Sequence, residues 1–147
     1  MQWITREHPK IDRIACPWLV TRFIDPSPEF LYVPADEVLA VAQPSGATPF
    51  DAPGVELGHH SELCGFDAFL AKYALTQAAQ HTMARIVCTA DCGRPEDAPE
   101  AARLLAISRG LSLNCSNDHF MLGPGMVLHD ALDAWCDGHA FAPHLPR

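Results

Sequence analysis

Hydrophobic positions near the start of the chain recur with a helical period. Ile11, Ala15, Leu19 and Phe23 fall on one stripe, with Ile14 and Trp18 beside it. This spacing predicts an amphipathic helix over roughly 12–24. Pro17 bears on where it begins: proline is best tolerated in a first turn, which puts Cys16 near the N-cap of the regular helix. Phe30-Leu31-Tyr32-Val33 reads as a short strand between Pro28 and Pro34, followed by a short helix over 35–42 and a turn at Pro44-Ser45-Gly46. Residues 48–57 support at most one short strand, around Val55.

Past residue 60 the helical period is clearer. Phe66, Phe69, Leu70 and Tyr73 form one apolar stripe, and Ala79, Met83, Ile86 and Val87 form the next. Asp97 and Glu100 have capping-box spacing ahead of Ala101, Leu104, Leu105 and Ser108, and Gly110 is expected to stop that helix. Ser116 or Asn117 can cap a last segment running to Cys136, interrupted by Gly123-Pro124-Gly125. The pattern predicts a helix-dominated α+β fold: one domain over 1–147 with a two-strand element at most.

Composition narrows the function classes. At 147 residues and 48% hydrophobic, the chain can bury a core without disulfide or metal staples. Ten basic residues against eighteen acidic ones give a formal charge of −8, which argues against direct nucleic-acid binding. No apolar run approaches the roughly 20 residues that span a bilayer, so no membrane partner is expected. Met1 to His8 lacks the apolar core of a secretory signal, and a cytoplasmic location is expected. The six cysteines include no CxxC pair and are expected to be reduced, packed as small hydrophobes. Eight histidines, two of them adjacent, are a reason to look for metal ligands.

Two constellations could carry chemistry. In the first, Lys10 and Arg13 precede the expected helix start at Cys16 and Arg22 follows it. Free N–H groups and the positive dipole end there would favour an anion and activate the Cys16 thiol for catalysis. The structural alternative has Asp12 capping, Arg13 in a surface pair and Cys16 packed with Trp18. The second is Gly58-His59-His60-Ser61-Glu62-Leu63-Cys64, where imidazole, carboxylate and thiol offer ligands for zinc, iron or copper. Asp91 and His119 could complete such a set. A plain helix start with a buried Cys64 is the alternative. Cys88 and Cys92 share a helical face and read as two core thiols, and His81, His139 and His144 read as solvated.

Asp12-Arg13-Ile14-Ala15-Cys16-Pro17-Trp18-Leu19 with Arg22-Phe23-Ile24-Asp25-Pro26 resembles the opening of the chromate-resistance family, the C-terminal domain of ChrB. The stretch from Gly54 through His59-His60-Ser61-Glu62-Leu63-Cys64 to Leu70 is similar too, as are Leu104 to Leu111 and the ending around Ala134-Trp135-Cys136. The resemblance implies a role in resisting or sensing chromate, an oxyanion close to sulfate in shape and charge. It raises Asp12, Arg13, Cys16 and Arg22, and likewise His59, Glu62, Cys64 and Asp91, above their structural alternatives. The Cys88/Cys92 pair, Gly123-Pro124-Gly125 in place of an uninterrupted helical turn, His129 and Asp133 depart from the family pattern.

The expectation is therefore a domain that binds a metal ion, a small oxyanion, or one through the other. Lys10, Arg13 and Arg22 would hold the anion. His59, His60, Cys64, Asp91 and His119 would supply ligands to a divalent zinc or iron. The alternative is a redox enzyme working through the metal or the Cys16 thiolate. A homodimer and a domain that binds only a partner protein are further readings.

Overall fold

Trp3, Ile4 and Thr5 are fully buried, although they stand at the start of the chain. They form the middle of β1 (Gln2–Arg6), the central strand of a sheet that the sequence pattern did not announce. The computed structural model describes residues 1–8, 10–92 and 94–141. The side chains of Asp12 and His139, and all of His144, lie outside the described residues. β2 (Glu29–Val33) and the very short β3 (Thr48–Pro49) pair with β1 in parallel, in the order β2-β1-β3. Trp3 lies opposite Phe30 on one side and Thr48 on the other. The small element is thus a three-stranded sheet rather than a pair, within the expected helix-dominated α+β fold.

Parallel strands need crossover connections, and two helices supply them. α1 (Ile11–Leu19) joins β1 to β2, and α2 (Val38–Ser45) carries the chain across to β3. The sheet is covered on both faces, as parallel sheets require. Ile4 packs with Val38, Ala42, Ala47, Ala52 and Val55 on one face. On the other, Trp3 joins the main core built from α1, α3 (Gly65–Lys72), α4 (Ala78–Cys92), α5 (Pro99–Asn114) and α6 (Asp118–Phe141). A strand buried on both faces loses its polar alternation, which is why β1 escaped the pattern.

Three helix boundaries differ from expectation. α1 begins at Ile11 with Lys10 as its N-cap, so Pro17 lies well inside the helix. Its missing N–H leaves the Arg13 carbonyl without the usual helical donor, and the chain widens into a π turn over Val20–Ile24. The Asp25 N–H then reaches the Val20 carbonyl at 2.8 Å. α5 starts after Ala98 with Pro99 in its first turn, and no Asp97–Glu100 capping box forms. It passes through Gly110, whose α-carbon faces open space, and ends at Asn114. α6 is capped by Asn117, whose Oδ1 accepts the Phe120 N–H at 2.8 Å. It continues through Gly123-Pro124-Gly125 without a break. Among the described residues no helix is long and apolar enough to cross a membrane.

Candidate functional site

The strand order creates a crevice. From β1 the chain turns to one side to reach β2, while β3 lies on the other, so the segments leaving the carboxyl ends of β1 and β3 diverge. In open parallel sheets such a switch point is where ligands bind. Arg6 is the last residue of β1, and Asp51 lies two residues past the end of β3. Arg6 Nε donates to the Asp51 carbonyl at 3.0 Å, and its Nη2 lies 3.4 Å from Asp51 Oδ2. Arg13, in the first turn of α1, brings Nη1 to the same Oδ2 at 3.4 Å and donates from Nη2 to the His8 carbonyl. Asp51 is buried, with two guanidinium groups on one carboxylate oxygen. Burial pushes its carboxyl above the ordinary value, opposed by the charges of Arg13 and Arg6.

The other oxygen of Asp51 faces His59. His59 Nε2 is 3.6 Å from Asp51 Oδ1 and 2.8 Å from Asp91 Oδ2 on α4. Backbone geometry fixes these groups. Asp51 has a φ of 42°, a left-handed conformation that aspartate tolerates better than most residues. Its N–H bonds to the Leu57 carbonyl. Gly58 sits against Ala52 so closely that a Cβ would meet the Ala52 carbonyl at 2.9 Å. That close approach seats the loop and delivers His59. Arg6, Asp51, Ala52, Pro53, Gly54 and His59 line a cavity of about 140 Å³. A water molecule's share of the liquid is about 30 Å³, so a small polyatomic ion fits.

The residues singled out from sequence are only partly brought together. Arg13, His59 and Asp91 meet around Asp51. Lys10 is exposed at the N-cap of α1 and is not among the residues lining the cavity. Arg22 belongs elsewhere: its Nε and Nη2 form a bidentate pair with Asp130 of α6 at 2.9 and 2.7 Å. Cys16 is the sixth residue of α1 and fully buried, because the helix starts six residues earlier than Pro17 suggested. No helix N-terminus activates it. His60 bonds through Nε2 to the Glu56 carbonyl at 2.7 Å, and Glu62 pairs with Arg94 at 3.7 Å. His119 donates from Nε2 to the Phe30 carbonyl at 2.8 Å and stands edge-on to Tyr32. Cys64 is joined to Cys88 in a disulfide, so neither is the isolated thiol expected. His59, His60, Cys64, Asp91 and His119 therefore form no single ligand set. Two guanidinium groups on Asp51 further disfavour a divalent cation beside His59.

Arg6 and Asp51 escaped the sequence reading. Neither stands in a motif, and their pairing across 45 positions exists only once β1 and β3 are neighbours. The terminal arginine of a recognised β1 would have been the only local signal.

The family described as ChrB, C-terminal domain matches residues 3–136. Protein ChrB of Cupriavidus metallidurans (strain ATCC 43123 / DSM 2839 / NBRC 102507 / CH34) is 32% identical over 132 residues, covering 89% of this chain. The chain spans 39% of that relative's length. No solved structure matches the chain.

Proposed function

The chain belongs to the ChrB C-terminal domain family, and from that premise we propose that it serves chromate resistance by binding a tetrahedral oxyanion of the chromate class. The crevice at the ends of β1 and β3 is the binding site in this reading. The observation that carries it is Arg6 and His59 lining one small cavity, with Arg13 braced behind them through Asp51. An arginine fork matches the oxygens of such an anion, and charge-assisted hydrogen bonds are the strong ones. Asp51 and Asp91 hold the guanidinium and imidazole groups in place before the anion arrives. Two carboxylates beside the site also keep affinity moderate, which suits reversible sensing.

Equilibrium dialysis with chromate, and with sulfate as competitor, tests the proposal. One chromate is expected per chain. Arg6→Ala and His59→Ala should each weaken binding about tenfold or more, the worth of one charge-assisted hydrogen bond. Arg22→Ala should leave binding unchanged. Absence of saturable binding, or an Arg6→Ala variant that binds like the parent, overturns the assignment. A redox enzyme is the second reading, favoured by the Cys64–Cys88 pair. It requires repeated consumption of a dithiol in the presence of chromate, which a binding domain does not show.

A further inference from the structure

A second cluster, independent of the oxyanion reading, lies where α3 meets α4. Cys64 is the N-cap of α3, and its backbone N–H donates to Asp67 Oδ2 at 3.4 Å. Cys88 lies one turn before the end of α4, with its Cα 5.5 Å from that of Cys64. The same Asp67 oxygen is 3.0 Å from Cys88 Sγ and 3.8 Å from Cys64 Sγ. In the disulfide neither sulfur has a proton to donate, so the carboxylate oxygen faces sulfur lone pairs at short range and gains nothing from the contact. The arrangement makes chemical sense for the reduced pair. Two thiols can donate to Asp67, and two thiolates with Asp67 present three converging donors. Among the described residues, this is the only group of three such donors within 4.8 Å of one another.

We propose that reduced Cys64 and Cys88, together with Asp67, form a binding site for a thiophilic divalent cation of the zinc class, and that the disulfide is the closed form of that site. Thiolate and carboxylate oxygen are both established zinc donors. Two zinc–sulfur bonds of about 2.3 Å at a tetrahedral angle place the sulfurs about 3.8 Å apart, within reach of side-chain rotation from the observed Cα separation. Cys64 at a helix N-terminus favours the thiolate. Opening the site is a two-electron exchange. A dithiol reductant breaks the Cys64–Cys88 bond, leaves as its own cyclic disulfide, and yields two protein thiols. The cation then displaces both thiol protons to the solvent and takes Asp67 as third donor, with water in the fourth position.

The test uses the full chain, purified without metal-affinity resin, reduced with a dithiol, and desalted under argon. Cobalt(II) is titrated in while the thiolate-to-cobalt charge-transfer absorption is followed. One equivalent is expected to saturate the band, and zinc should then abolish it. Diamide-oxidised protein should show no band until it is reduced again. Cys88→Ser should lose the band while keeping the parent's circular dichroism, whereas His59→Ala should keep it. Asp67→Asn retains an oxygen for the Cys64 N–H but not the charge, and should weaken cobalt binding about tenfold. No band in the reduced parent, or a band that survives in Cys88→Ser, overturns the site. Parent-like affinity in Asp67→Asn overturns its third donor. Chromate binding by Cys88→Ser is expected to match the parent, so failure here and failure of the oxyanion site are separable.

Discussion

At the scale of single residues, buried charges explain most of the local geometry. Asp25 accepts from the Met1 ammonium at 2.8 Å, the Trp3 indole N–H at 3.0 Å and the Ser27 backbone N–H at 3.0 Å. These donors, the ammonium foremost, hold its carboxyl down at about 2. An unfolded aspartate titrates near about 3.9, so the stabilisation is complete above that value and is lost as pH falls through about 2. Asp25→Asn should lower stability at neutral pH and flatten the acid limb between about 4 and about 2. Denaturant midpoints across that range check this, and superimposable acid limbs would count against it. Asp51 shows the opposite balance, with burial raising its carboxyl against two arginines. His59 and Asp91 were legible as candidates because their residue types are chemically loud. Arg6 and Asp51 were not, because an arginine and an aspartate far apart in sequence are ordinary.

At the scale of elements, prolines and glycines carried the misreadings. Pro17 was expected to open a helix and instead lies inside one, with the π turn taking up the disturbance. Gly123-Pro124-Gly125 was expected to interrupt α6 and instead marks where it crosses α1. A Cβ at Gly125 would meet Ile14 Cγ2 at 2.6 Å, so the glycine permits the close approach of the two helices. The Gly125 carbonyl also accepts from His129 Nδ1 at 2.8 Å, and that histidine is fully buried near Trp18. Burial lowers the imidazole pKa, which keeps it neutral in this contact. Gly125→Ala should cost about 1–3 kcal/mol through overpacking, and Ile14→Ala, which removes the methyl it meets, should cost less in that chain than in the parent. Urea titrations of the single and double variants decide it. Additive losses would mean that the two residues do not meet.

At the scale of the molecule, the helical layer packs on the sheet through the core, and among the described residues one covalent link ties two of its helices together. The Cys64–Cys88 bond joins the start of α3 to α4 across 24 positions. In the chain-entropy account, closing a loop of that length stabilises the fold by about 3 kcal/mol. Reduction should therefore move the denaturant midpoint down by a corresponding amount, and zinc added to the reduced chain should return part of the shift. Equal midpoints before and after reduction would show that the cross-link constrains nothing. The expectation of unpaired cysteines came from irregular spacing, and spacing along a chain says little about two residues brought together by helix packing.

The amino-acid pattern alone determined the helical class, the stripes of α3, α4 and α5, the family resemblance, and His59 and Asp91 as candidates. These depend on periodicity and residue type, which are local properties of a chain. Only the tertiary structure decided that β1 is the centre of a parallel sheet, that Arg6 and Arg13 converge on Asp51, that Arg22 and His119 are engaged elsewhere, and that Cys64 meets Cys88. Each of those depends on which segments become neighbours. Strand order and helix crossing set those neighbours, because burying both faces of one short sheet leaves few arrangements, and local spacing does not choose among them.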